Sequence, residues 1–391
     1  MAATPLTVEP SRSRTRPDAV PWFVWTAVLA ATSALVGLHW DIAWHLSIGR
    51  DSFWTPAHLL IQFCGVLAGL SCGFLILHTS FAGRPEARAG AVRIWGFHGP
   101  LGAFIAAWGG LAMVTSAPFD NWWHNAYGLD VKVLSPPHVL LVIGIMTVEL
   151  GGLILTLGRM NRATGALRRH LETAFLYLGG LVLALMMLLV VEYLDPVLMH
   201  AAILYRAVCL AAPVVLVGMA RGSGRARWPA TAVAAVYSVL FLGMEWILPL
   251  FPAQPKLGPV LYPVTHFVPI GFPLLLLVPA LAIDLLLPRL EAWNLAAQAA
   301  VLGTAFTATL VGAQWWFADF LLSPLARNRL FGQIYHSYNT PPTAYSLRHQ
   351  FYPWEKTAGE FWTGMAVALA SAMLTAALGL GWGTWMRKIK R

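Results

Sequence analysis

The chain is predicted to be all-α: a polytopic integral membrane helical bundle of about ten transmembrane helices. Two observations carry that expectation. Hydrophobic residues make up 58% of the 391 residues and charged residues only 11%, with a mean hydropathy of +0.64. So few charges cannot cover a water-exposed surface, so apolar surface must face lipid. The apolar residues are also gathered into runs long enough to cross a hydrocarbon core of about 30 Å. These runs lie at 19–40, 57–80, 96–118, 137–158, 171–191, 198–220, 228–250, 264–288, 296–318 and 358–386. Hydrocarbon offers backbone N–H and C=O groups no partner, so each run must be helical.

Charge placement orients the bundle. Of the 26 Lys and Arg residues, 18 fall before the first run, after the even-numbered runs, or at the end of the chain. The loops on the other side hold seven: Arg50, Lys132, Lys256, Arg327, Arg329, Arg348 and Lys356. The positive-inside bias predicts a bacterial-type inner (cytoplasmic) membrane protein with both termini cytoplasmic. The net charge of +9 reflects that topology. With no basic stripe interleaved with aromatics, it gives no indication of nucleic-acid binding.

Residues 1–18 are polar and rich in Arg, Ser, Thr and Pro, and read as a disordered cytoplasmic tail before a retained first span. Residues 19–391 read as one membrane domain of five helical hairpins, at 19–80, 96–158, 171–220, 228–288 and 296–386. The last carries a long outer loop, 320–357, with Trp354 and a Pro341-Pro342 turn, read as a cap over the outer face. Cys64, Cys72 and Cys209 lie in the spans without metal-type spacing and read as packing residues.

One motif occurs twice. Asp41-Ile-Ala-Trp-His45 is followed by Gly49-Arg50-Asp51 and closed by Thr55-Pro56-Ala57-His58. The second copy reads Asp120-Asn-Trp-Trp-His124, Gly128-Leu129-Asp130 and Ser135-Pro136-Pro137-His138. Asp and His four residues apart share one helix face. Proline is tolerated in a first helical turn, so each Pro marks the start of the returning helix and places the second His in its first turn. Each hairpin thus offers two imidazoles and a carboxylate, a set that suits a divalent transition metal. Asp41, His45, His58, Asp120, His124 and His138 are the candidate ligands. Asp51 and Asp130, which also recur, are read as capping the loop or orienting a ligating imidazole through its other nitrogen.

Two later hairpins echo the pattern more weakly, Glu192 and Asp195 before His200 and Glu245 before His266. Acids, histidines and tryptophans gather at membrane interfaces for other reasons too. Trp40, Trp44, Trp54, Trp122 and Trp123 are read as anchors and packing residues, and His39 and His98 as structurally satisfied. Arg206, inside a span, is expected to pair with Glu192 or Asp195.

The first copy, Asp41-x3-His45-x12-His58 with Arg50-Asp51 and Thr55-Pro56 inside it, resembles the C subunit of particulate methane and ammonia monooxygenases. The resemblance covers about 20 residues and the surrounding helix–loop–helix. It implies copper at Asp41, His45 and His58, near the outer membrane face. It also implies further membrane or periplasmic subunits, since that C subunit works beside an A subunit and a largely periplasmic B subunit. The second copy has one more residue between its histidines and lacks the Arg, and the present chain is longer.

Ligand types alone fit copper, zinc and non-haem iron equally. The resemblance and the outer location favour copper. Three functions are compatible: a copper-dependent monooxygenase-like oxidoreductase or subunit acting on a small apolar substrate, a non-catalytic copper-handling protein, or a transporter or electron-transfer protein. Transport predicts ionisable residues continuing across the bilayer, whereas here the acids and histidines concentrate at the outer ends. A homo-oligomer is equally compatible with the sequence. No nucleotide-binding loop or hydrolase nucleophile motif is present.

Overall fold

The computed structural model describes residues 19–49, 54–128, 135–194, 198–224, 226–256, 264–335 and 354–390. The proposed tail, Arg50, Asp51, Asp130, Asp195 and Pro341-Pro342 lie outside these. The protein is an all-α membrane bundle. In order, its helices are α1 (Trp22–Ser47), α2 (Pro56–Phe81), the short α3 (Pro85–Ala89), α4 (Leu101–Tyr127), α5 (Pro136–Met160), α6 (Gly165–Leu194), α7 (Ala202–Ser223), α8 (Pro229–Ile247), the short α9 (Leu277–Leu286), α10 (Leu295–Leu322) and α11 (Ala358–Met386). Among the described residues nine helices, all but α3 and α9, are long and apolar enough to cross a membrane.

Prolines set several boundaries. Pro56, Pro136 and Pro229 occupy the first turns of α2, α5 and α8, where a missing N–H costs nothing. The third apolar run was expected from 96, but α4 begins at Leu101, after Pro100. The residues before it form a small antiparallel hairpin, β1 (Val92–Ile94) and β2 (Phe97–Gly99). Trp95 and Gly96, both at positive φ, make the kind of two-residue turn that matches strand twist.

The run at 264–288 is not a continuous helix. Residues 264–276 are irregular, and only Leu277–Leu286 is helical. Pro269, Gly271 and Pro273 explain the break: the prolines lack the donor that an α-helix needs and clash with the preceding turn. The exposed backbone donors are taken up by side chains of neighbouring helices. Val268 N–H donates to Ser47 Oγ (2.7 Å), Gly271 N–H to Glu245 Oε2 (3.2 Å), Leu274 N–H to Tyr237 Oη (2.9 Å) and Leu275 N–H to Gln314 Oε1 (3.0 Å). Ser47, Tyr237, Glu245 and Gln314 are all buried.

The helices α1, α2, α4 and α5 form one cluster, with α2 packed on α1 and α4, and α5 on α4 and α1. Small residues allow the close approach: a Cβ on Gly110 would stand 2.6 Å from Gly65 O, and one on Gly109 2.7 Å from Gly144 O. The rest of the bundle is built on α6 against α5 and α8, and on α11 against α7 and α10. The described part of the 320–357 excursion folds back on the bundle, with Phe331 among Phe272, Phe317 and Phe320 and Trp246 Nε1 donating to Leu330 O.

Tyr237→Phe, nearly isosteric, strands the Leu274 N–H in an apolar interior. A loss of about 1–3 kcal/mol is expected, read as a lower melting temperature in detergent. An unchanged melting temperature would show that the irregular segment finds another acceptor.

Candidate metal centres

Each hairpin places its three candidate ligands at one end of the α1/α2/α4/α5 cluster. The helix carrying the first two ends immediately beyond them. Past His45, Ile48 and Gly49 N–H groups both bond Trp44 O, with Gly49 at φ 84. Past His124, Gly128 at φ 92 donates to His124 O. The returning helix starts with the third ligand in its first turn. In α2 the Thr55 Oγ1 cap accepts the N–H of His58 itself (3.2 Å). In α5 Ser135 precedes the Pro136-Pro137 start but makes no such bond.

The two copies converge on the same geometry. In the first, Asp41 Oδ1 lies 3.1 Å from His58 Nε2, and Asp41 Oδ2 lies 3.6 Å from His45 Nε2. In the second, Asp120 Oδ1 lies 3.3 Å from His124 Nε2 and 3.2 Å from His138 Nε2. The imidazole centroids are 6.4 Å apart at 52° in one and 6.2 Å apart at 57° in the other. Within each set the three donor atoms lie within 4.8 Å of one another. Ligand bonds of about 2.0–2.2 Å at roughly tetrahedral angles set donors about 3.3–3.6 Å apart. The observed separations fit a single small metal ion.

Two further features suit that fit. Asp41 Oδ1 and Asp120 Oδ1 are buried but take no well-directed hydrogen bond. His124 Nδ1 stands 3.3 Å from Gly128 O. A carbonyl only accepts, so Nδ1 carries the proton and Nε2 presents its lone pair to the site. Asp51 and Asp130, expected to play this orienting part, lie outside the described residues.

The copies differ in their surroundings. The end of α1 is braced, since Lys256 N–H donates to Ile48 O (2.9 Å) and Ser47 holds Val268. Trp44 packs on Phe267. At the second site Trp123 packs on Tyr127, ring centroids 4.4 Å apart and tilted by 41°, while Trp122 is exposed. The indole Nε1 atoms of Trp44 and Trp123, equivalent in the repeat, are both buried without a hydrogen-bond partner. The two hairpins pack side by side, α2 against α4.

The weaker echoes do not rebuild the set. His200 reaches outside its hairpin, 3.3 Å from Asp319 of α10. Glu245 serves Gly271, and His266 bonds Thr265. Arg206 is exposed, and no ion pair joins it to Glu192 among the described residues. His39 is buried, bonded to Leu35 O and edge-on to Phe241. His98 sits in β2, its N–H held by Ser80. The three cysteines are buried and free.

Sequence reasoning missed Glu149, in the middle of α5. It is completely buried, and neither carboxyl oxygen has a hydrogen-bond partner. The signal was a lone acid inside an apolar run, an expensive placement in a membrane. It also missed Asp284, whose two oxygens accept Ala230 and Thr231 N–H at the start of α8 (3.0 and 2.8 Å).

Because the Glu149 carboxyl makes no hydrogen bond, Glu149→Met removes a desolvated polar group without orphaning another. Stability should rise by about 1–3 kcal/mol, measured as the thermal midpoint in detergent. A fall would reveal a partner that the carboxyl holds. Compared with known protein families, curated proteins and solved structures, the chain matches none.

Proposed function

We propose that this chain is a copper-binding membrane protein with two Asp-His-His sites at the outer ends of its first two hairpins. The observation that carries the reading is the duplicated convergence of Asp41, His45 and His58, and of Asp120, His124 and His138, each onto one ion-sized space. The motif's resemblance to the monooxygenase C subunit supports copper over zinc or non-haem iron. The excess of Lys and Arg at the opposite end supports the outer location.

The function best supported is that of a monooxygenase-like oxidoreductase or subunit acting on a small apolar substrate drawn from the lipid. Copper would supply one-electron and oxygen chemistry. The chain's own residues hold the metal in place. Each Asp faces two imidazoles, the His124–Gly128 bond fixes a ring, and three protein ligands leave coordination positions open. A non-catalytic copper-handling role is the second reading. It is favoured by His45, whose side chain is 36% exposed and open to a metal carrier.

Metal analysis of the purified protein is expected to give two copper ions per chain. His45→Ala and His124→Ala should each lose one, and the double variant both. Undiminished metal in the double variant would end the metal reading. Preferential retention of zinc or iron over copper would overturn the metal assignment alone. Oxygen uptake with lipid-soluble substrates, abolished in the double variant, separates the enzyme from the copper-handling protein.

A further inference from the structure

At the end of the bundle remote from the Asp-His-His sites, a cavity of about 830 Å³ opens between the start of α1 and the ends of α2 and α5. Trp22, Leu75 and His78 form its walls, and Arg84 and Arg159 line it from two different elements. Arg159 Cζ sits 5.1 Å from the centroid of the Phe23 ring. Neither arginine pairs with an acid among the described residues. Two more cations stand close by: Arg88, whose Nε donates to Thr79 O, and Arg162, whose Nε donates to Gly158 O, next to Arg159.

Hydrocarbon-facing surface adjoins this cationic chamber. On α2, Leu70, Phe74, Leu77 and Phe81 are 50–74% exposed and recur every three or four residues, so they lie on one face. Trp22 bridges the two regions, its ring 6.0 Å from Phe74. A soluble anion would use the arginines and leave the stripe unexplained. A molecule with an anionic head and acyl chains uses both, and basic pockets between transmembrane helices are suited to such headgroups.

We propose that this cavity is a binding site for one anionic glycerophospholipid, its phosphate held by Arg84 and Arg159 and its acyl chains laid along the Leu70–Phe81 face of α2. Paired guanidinium groups match phosphate oxygens in geometry as well as charge.

The test is native mass spectrometry of the full chain released from detergent, with phosphatidylglycerol or phosphatidylcholine added. Wild type should retain one phosphatidylglycerol, and Arg84→Ala/Arg159→Ala should weaken that retention roughly 10- to 30-fold. Arg227→Ala, which removes a cation beside Trp228, should retain it as wild type does. Arg84→Lys/Arg159→Lys, keeping charge without the planar fork, should fall between. Unchanged circular dichroism shows that the variants fold. Equal retention of the two lipids, or wild-type retention by the double alanine variant, would overturn the proposal. Displacement of the lipid by millimolar inorganic phosphate would assign the site to a free anion instead.

Discussion

Every backbone polar group within the hydrocarbon must be satisfied without water, and the rest of the architecture follows from that constraint. Among the described residues, nine long helices meet it internally. The irregular segment at 264–276 cannot, so three helices lend it four side chains: Ser47 from α1, Tyr237 and Glu245 from α8, and Gln314 from α10. These residues look out of place in apolar helices until their partners are seen. One of them, Ser47, lies two residues beyond His45, so the break is tied mechanically to the first ligand set.

The same economy of backbone geometry builds the two sites. A positive-φ glycine past the outgoing helix and a proline at the start of the returning one flank each connection, and the returning helix brings one imidazole opposite an Asp/His pair. The second copy carries one more residue between its histidines, taken up in the last turn of α4, yet the two reach nearly the same ring separation and angle. What the repeat preserves is the placement of ligands on helix ends, which the loop need only connect.

Much of this was legible in the sequence because its signals are local. Apolar runs, prolines and the i,i+4 pairing of Asp with His need only a few neighbouring residues to be read, and they pick out both Asp-His-His groups that the fold brings together. What was misread depends on residues far apart. The 264–288 run is apolar enough to span, but its prolines override hydropathy, and its stability rests on acceptors 26 to 221 residues away. His200 was grouped with its own hairpin, whereas its carboxylate comes from α10. Glu149 was passed over because its burial depends on helices distant in sequence that pack on α5. Residues 97–99 became strand because the two-residue turn at Trp95 and Gly96 outweighed a modestly apolar sequence.

The division of ligands within each hairpin, two on the outgoing helix and one on the returning helix, bears on biogenesis. Neither helix alone presents a complete set, so an ion can be captured only after both have entered the bilayer and closed on one another. Loading would then act as a latch at the mouth of the hairpin, and losing the ion would free the two helix ends to part. In a chain with two such hairpins side by side, an ion at each would tie the helix ends of the first half of the bundle in two places.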